Sequence, residues 1–181
     1  MLIGICGKKQ NGKDTIANYL VNKRSFIKHS FAKPLKEACK VIFNFSDEQV
    51  HGNLKEIVDE RWNETPRKIL QLVGTELFRN TLPKYCKDIG DNIWLKNFEM
   101  WYKENSDKNI VICDCRFLNE LKLIEKLSGI IILVERNSLN NNVDTHPSEN
   151  EFLLYDKFDY VINNDSSFED LYKKIDKLFE V

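Results

Sequence analysis

The chain is 181 residues long, 42% hydrophobic and 30% charged, with a formal net charge of −1. Length and apolar content predict one domain with a real core, and the near-neutral charge excludes broad binding to nucleic acid or a membrane surface. No apolar run approaches the ~18 residues of a membrane span, and the N-terminus reads as a structural strand rather than a signal peptide. The five cysteines, Cys6, Cys39, Cys86, Cys113 and Cys115, are odd in number and form no C-x-x-C pair. They read as reduced thiols of a cytoplasmic protein rather than a disulfide framework or zinc site.

In chain order, the first strand, Leu2–Cys6, runs into G-K-K-Q-N-G-K-D-T. Gly7 and Gly12 bracket a loop that closes on Lys13, and the helical run Ile16, Ala17, Tyr19, Leu20 follows. This is the pattern of a phosphate loop. Glycines allow the backbone N–H groups to approach a polyphosphate, the lysine adds a charge, and the helix offers its positive end. The competing reading is an ordinary glycine turn. Where a Ser or Thr usually follows the lysine and ligates Mg²⁺, Asp14 stands, and the hydroxyl comes one place later at Thr15. ATP or GTP is the implied ligand.

A helix is expected over Asp14–Asn22, a second strand over Phe26–Ser30 and a helix over Pro34–Phe45, with Lys36 near its start. Pro66–Leu82 reads as one long helix capped by Thr65, with Pro66 in the first turn. It carries Arg67, Gln71 one turn later, the small pair Gly74–Thr75, and Arg79. The alternative for such arginines is a solvated face. A helix over Asp91–Glu104 carries Trp94, Phe98, Trp101 and Tyr102 at helical spacing, either as a core stripe or as a homodimer face.

The third strand, Ile110–Asp114, ends in Asp114, followed by Arg116 and a helix over Phe117–Leu127. An acid at a strand end opposite a phosphate loop suits Mg²⁺ or the orientation of an attacking group; otherwise it caps the helix. Arg116 is placed to reach phosphate oxygens. The fourth strand, Ile130–Glu135, leads through Arg136 into a polar stretch, Asn137–Asp144, read as a mobile loop. A helix over Pro147–Tyr155, a strand over Tyr160–Asn163, a turn at Asn163, Asn164 and Asp165, and a helix over Phe168–Phe179 complete the chain. Strands alternating with helices predict a parallel sheet covered on both faces, with ligands beyond the carboxyl ends of its strands.

Taken together, these segments resemble the bacteriophage-type deoxynucleoside monophosphate kinases, a branch of the P-loop nucleoside monophosphate kinase fold. The resemblance is carried by G-K-K-Q-N-G-K-D-T, S-F-A-K-P-L-K-E, T-P-R-K-I-L-Q-L-V-G-T-E-L-F-R, D-N-I-W, V-I-C-D-C-R-F-L-N-E, H-P-S-E and V-I-N-N-D, in the family's order. An acid is commoner in that family where Lys33 stands. The resemblance implies an α/β, three-layer fold with a five-stranded parallel sheet. It implies one domain over 1–181, with a helical acceptor-binding insertion at about 32–105 and a short lid at about 136–148.

The implied activity is transfer of the ATP γ-phosphate to a deoxynucleoside 5′-monophosphate, with ATP and Mg²⁺ as cofactors. On this resemblance the ATP side comprises Gly7, Asn11, Gly12, Lys13, Asp14 and Thr15, with Asn163, Asn164 and Asp165 against the adenine. Asp114 and Thr15 serve the metal. Lys13, Asp114, Arg116 and Arg136 serve the transfer, Arg136 as lid arginine. Arg67 and Arg79 bind the acceptor phosphate, Lys36 or Arg116 stabilises the transferring group, and Gln71 reaches the acceptor base. Trp94, His146 and Glu149 complete the acceptor side, His146 alternatively capping the helix at Pro147. The open alternatives are another small-molecule kinase of this fold, of dephospho-coenzyme A or phosphomevalonate type, and a non-catalytic nucleotide-binding module. The guanine-specific N-K-x-D sequence is absent.

Overall fold

The computed structural model describes residues 1–87, 89, 92–136 and 151–180. Along the chain these form β1 (Leu2–Cys6), α1 (Lys13–Arg24), β2 (Ile27–His29), α2 (Lys33–Phe43), α3 (Asp47–Val50), α4 (Pro66–Gln71), α5 (Leu82–Tyr85), α6 (Ile93–Lys103), β3 (Ile110–Cys115), α7 (Leu118–Lys126), β4 (Ile130–Glu135), β5 (Tyr160–Asn163) and α8 (Phe168–Asp176). The described residues divide into two compact units, one built from residues 1–30 with those from 101 onward, the other from residues 31–100.

The first unit holds a five-stranded sheet of order β2-β3-β1-β4-β5. Every pairing is parallel, with Ile3 of β1 opposite Val111 of β3 and Ile130 of β4. The central strand β1 is buried at every residue, as a strand covered on both faces must be. Ile3, Ile5, Ile16, Leu20, Val111, Ile132, Val134, Leu171 and Ile175 belong to one core cluster. This joins the inner faces of α1 and α8 to the sheet. Tyr19 stacks on Tyr172 with centroids 4.2 Å apart, and both Tyr19 Oη and Arg24 Nη2 donate to Asp176 at 2.8 Å. With β1 central and all strands parallel, the turns after β1, β3, β4 and β5 share one carboxyl edge.

The second unit has its own core of Leu35, Cys39, Phe45, Val50, Ile69, Leu70 and Trp94. Its expected single helix over Pro66–Leu82 is divided: α4 ends at Gln71, Leu72–Thr81 is π-helical, and α5 follows. Within the widened stretch Gly74 lies so close to Leu35 that a Cβ would collide with it, and the Gly74 carbonyl accepts the Trp94 indole N–H at 3.1 Å. These contacts come from distant elements, so helical periodicity alone did not reveal the change of register. The short α3 was not anticipated, although S-D-E-Q spells its capping box: Ser46 and Gln49 bond each other's backbone N–H.

Other differences are at element ends. β2 is an edge strand of three residues, shorter than Phe26–Ser30, and the α-helical part of α8 stops at Asp176 before a 3₁₀ turn. Of the helix expected over Pro147–Tyr155, residues 147–150 lie outside the described residues, and Glu151–Leu154 is a 3₁₀ turn. All five cysteines are free, and no helix among the described residues is long and apolar enough to cross a membrane.

Candidate active site

The loop after β1 has the backbone that its glycines imply. Gly7 has φ 143°, Gln10 φ 67° and Gly12 φ 99°, Gly12 standing as the N-cap of α1. A Cβ on Gly7 would strike the Val134 carbonyl, and one on Gly12 would strike the Asn164 side-chain amide. The loop is therefore pressed against the end of β4 and the turn after β5, leaving room for glycine alone. Lys13 opens α1, and its ammonium donates to the Gly7 and Lys8 carbonyls, each at 2.7 Å. The lysine is tethered to the loop, at the positive end of a helix.

Asp14, in the usual Ser or Thr place, has Oδ1 accepting from Lys28 Nζ at 2.7 Å and from the Cys113 thiol at 3.4 Å. Burial pushes its pKa up, but the Lys28 hydrogen bond and charge, the Cys113 contact and the Lys13 charge outweigh it, holding the carboxyl below its ordinary value. The carboxylate is nonetheless three-quarters exposed, so the pair is a solvent-screened one. Thr15 is half-buried in the first turn of α1. Burial raises the thiols of Cys6 and Cys113 to about 12, so both stay protonated at neutral pH and offer no nucleophile.

Two asparagines join the loop to its surroundings. Asn11 is 4% exposed and its Nδ2 donates to the Val134 carbonyl at 2.8 Å. Its buried Oδ1 has no hydrogen-bond partner among the described residues. Asn164 is 8% exposed; its Nδ2 donates to the Asn11 carbonyl at 2.9 Å and its backbone N–H to the Glu135 carbonyl at 2.8 Å. The neighbouring Asn163 is exposed, its Oδ1 closing an Asx-type turn on the Asp165 N–H at 3.1 Å. A cavity of about 120 Å³ beside the loop is lined by Gly7, Lys8 and Asn11, by Leu133 to Arg136, and by Phe152 with Leu153. That places the half-buried Arg136 at the loop's side.

At the end of β3, Asp114 Oδ2 accepts from Ser30 Oγ at 2.5 Å. The N-cap of α7 is Phe117, and Glu120 Oε2 accepts the backbone N–H groups of Arg116 (2.8 Å) and Phe117 (3.1 Å). Glu120 thus performs the capping that Asp114 alternatively explained, and Asp114 stays a strand-end acid. Asp114 and Thr15, the two residues expected to serve the metal, carry oxygen donors of the kind that suit a hard cation. Among the described residues no group of three or more His, Cys, Asp or Glu forms a metal cage. Such a donor set fits Mg²⁺, which keeps its waters and is shared with phosphates rather than enclosed by protein.

In the second unit, Thr65 caps α4 by accepting from the Lys68 N–H at 3.2 Å. Arg67 Nε bonds Glu56 Oε1 at 2.5 Å, its side chain 20% exposed. Gln71 is half-buried one turn on, and Arg79 is 7% exposed on the inner side of the π-helical stretch, with Gly74 and Thr75. Lys36 lies in α2, its Nζ 3.5 Å from His51 Nδ1. Trp94, expected on the acceptor side, is 8% exposed, packed edge-on to Phe78 and bonded to Gly74. Its side chain belongs to the core, as does that of Phe98, which settles that part of the aromatic stripe as packing. His146 and Glu149 lie outside the described residues, as does the segment expected to form most of the lid.

Several participants were not foreseen: Ser30 and Lys28, which bond the two acids, Glu56 on Arg67, and the Val134 and Glu135 carbonyls under the asparagines. Glu120, which caps α7, was also unforeseen, and it alone had a local signal in its spacing from Arg116 and Phe117 at a helix start. The rest are brought in by strand order or by folding of a separate loop.

The family model of deoxynucleotide monophosphate kinases matches residues 1–65 and 45–175. A relative from Acanthamoeba polyphaga mimivirus, itself assigned as a deoxynucleotide monophosphate kinase, is 42% identical over 182 residues, covering 97% of this chain and 94% of its own. The deoxynucleotide monophosphate kinase of Enterobacteria phage T4 is 23% identical over 249 residues, covering 99% of each. Among solved structures, dephospho-CoA kinase from Campylobacter jejuni superposes with a TM-score of 0.53 at 15% identity, over 99% of this chain and 95% of that chain, a likeness of fold. The sheet is that of a P-loop kinase, the sequence matches run nearly end to end, and the chain belongs to the deoxynucleotide monophosphate kinase family.

Proposed function

We propose that this chain transfers the γ-phosphate of ATP to a deoxynucleoside 5′-monophosphate. An acceptor phosphate oxygen forms a new bond to the γ-phosphorus, the bond from that phosphorus to the bridging oxygen breaks, and ADP leaves with its electron pair. The observation that carries this reading is the glycine-shaped loop delivering Lys13 and the start of α1 to the carboxyl edge of the central strand. Phosphoryl transfer needs positioning and charge neutralisation more than covalent chemistry, and that arrangement provides both.

In this reading the loop N–H groups and Lys13 hold the β- and γ-phosphates. The Lys13 ammonium, already oriented by two loop carbonyls, turns from them to phosphate oxygens at little entropic cost. Thr15 contacts the phosphates from the first turn of α1, and Asp14, tied to Lys28, contributes through the ionic surroundings of the loop. Asp114, held by Ser30, and Thr15 take the metal. When bound, Mg²⁺ draws negative charge from the phosphate oxygens. Arg116 and Arg136 neutralise the transferring group. Asn163 and Asp165 lie beside the adenine, in the exposed turn after β5.

The unit of residues 31–100 carries the acceptor side. Arg67 and Arg79 bind the monophosphate; Glu56 keeps the Arg67 guanidinium extended until a phosphate offers a better anion. Gln71 reads the base, Lys36 adds positive charge, and Trp94 acts through packing, by fixing the Gly74 carbonyl in the π-helical stretch. His146 and Glu149 complete the acceptor side, and Arg136 leads into the lid that excludes water.

The deciding experiment is ADP release from ATP and Mg²⁺ with each deoxy- and ribonucleoside monophosphate, and with dephospho-coenzyme A. The expected result is ADP formation dependent on a deoxynucleoside monophosphate, with the matching diphosphate appearing. Stimulation by dephospho-coenzyme A alone would replace the acceptor class, and no stimulation by any acceptor would leave a nucleotide-binding module.

A further inference from the structure

Asn164 was expected to lie against the adenine, with its neighbours in the turn after β5. Its backbone lies in that turn, and its side chain is buried against the phosphate loop. It is 8% exposed, its amide is bonded to the Asn11 carbonyl at 2.9 Å, and it fills the space in which a side chain on Gly12 would have to sit. The Asn164 backbone is itself pinned to Glu135 at 2.8 Å. Asn11 closes the second link, through Nδ2 to Val134 at 2.8 Å. The phosphate loop is therefore tied to β4 through Val134 and to the turn after β5 through Asn164, both at Asn11, the residue next to the left-handed Gly12 at the start of α1.

We propose that Asn164 is a positioning residue for the phosphate loop: its side-chain amide holds the Asn11–Gly12 peptide in the form that receives a polyphosphate, and it does not read the base. The proposal rests on ATP binding at this loop, as given above. The chemistry requires an amide. The Asn11 carbonyl calls for a donor, and a carboxylate at the same place would repel both that carbonyl and the incoming phosphates. An aliphatic residue would leave the buried carbonyl without its donor and the loop free to relax away from its binding form.

The test measures, by titration calorimetry in the presence of Mg²⁺, the binding of ATP and of inorganic tripolyphosphate to the full-length chain and to its Asn164→Asp and Asn164→Ala variants. Asn164→Leu, measured alongside them, is nearly isosteric and uncharged, so it reports on the lost donor free of the charge that Asn164→Asp adds and even if the alanine variant folds poorly. The expected result is that ATP and tripolyphosphate weaken by the same factor, about tenfold, while the acceptor KM is unchanged. Weakening of ATP with tripolyphosphate unaffected would overturn the proposal in favour of a base contact. Unaltered binding of both would also overturn it. If the unaltered chain binds neither ligand, the ATP reading itself fails and this proposal fails with it.

Discussion

Lys13 donates to two carbonyls of the loop that it closes, so its ammonium is held in place before any ligand arrives. Replacing it removes a positioned cation, and nothing in the first turn of α1 replaces it: Asp14 beside it has the opposite charge and is held ionised by Lys28. Lys13→Ala is expected to lower kcat/KM for ATP by about 10²–10³-fold while the far-ultraviolet circular dichroism spectrum stays that of the parent. Undiminished turnover would remove the phosphate-loop assignment. At this scale the motif residues were readable because their chemistry is local. Glycine conformation and a lysine at a helix start depend on residues adjacent in sequence. The inward turn of the Asn164 side chain was not readable, since it depends on a carbonyl on a different strand connection.

Among the elements, the pairing of α1 with α8 rests on Tyr19 stacked on Tyr172 and on Asp176, which accepts from both Arg24 and Tyr19. The Arg24 hydrogen bond first, then that of Tyr19, holds the Asp176 carboxyl below its ordinary value of 3.8. A carboxyl whose pKa is depressed on folding stabilises the folded state fully above its unfolded value; that contribution is lost as the pH falls through the lower folded value. Asp176→Asn is therefore expected to lower the thermal midpoint at pH 7 by no more than about 2 °C, since the ion pair is over a third exposed on each side. The difference from the parent should close as the pH drops below 3.8. A difference that persists unchanged to pH 2 would show that the pairing is steric. The π-helical stretch after α4 is the element that local pattern did not reveal. Its apolar spacing reads as ordinary helix, and the departure accompanies contacts with Leu35 and Trp94 from other segments.

For the whole molecule, the proposed division of labour assigns ATP to the sheet-bearing unit and the acceptor to residues 31–100, which have a separate core. Arg67→Ala should accordingly raise the acceptor KM about tenfold or more, as loss of a charge-assisted bond implies, with little change in the KM for ATP. An effect confined to ATP in steady-state kinetics would rule out that assignment. Composition and pattern alone determined the α/β class, the five strands to within a residue or two at their ends, and the phosphate loop. Each depends on interactions between near neighbours, buried parallel strands being continuous apolar runs and loop glycines answering to φ. Only the tertiary structure decided the strand order, the partners of Asp114 and Asp14, the burial of Trp94, and the bond from the Asn164 side chain to the phosphate loop. Those depend on groups distant in sequence, which packing brings within hydrogen-bond reach and which no local pattern encodes.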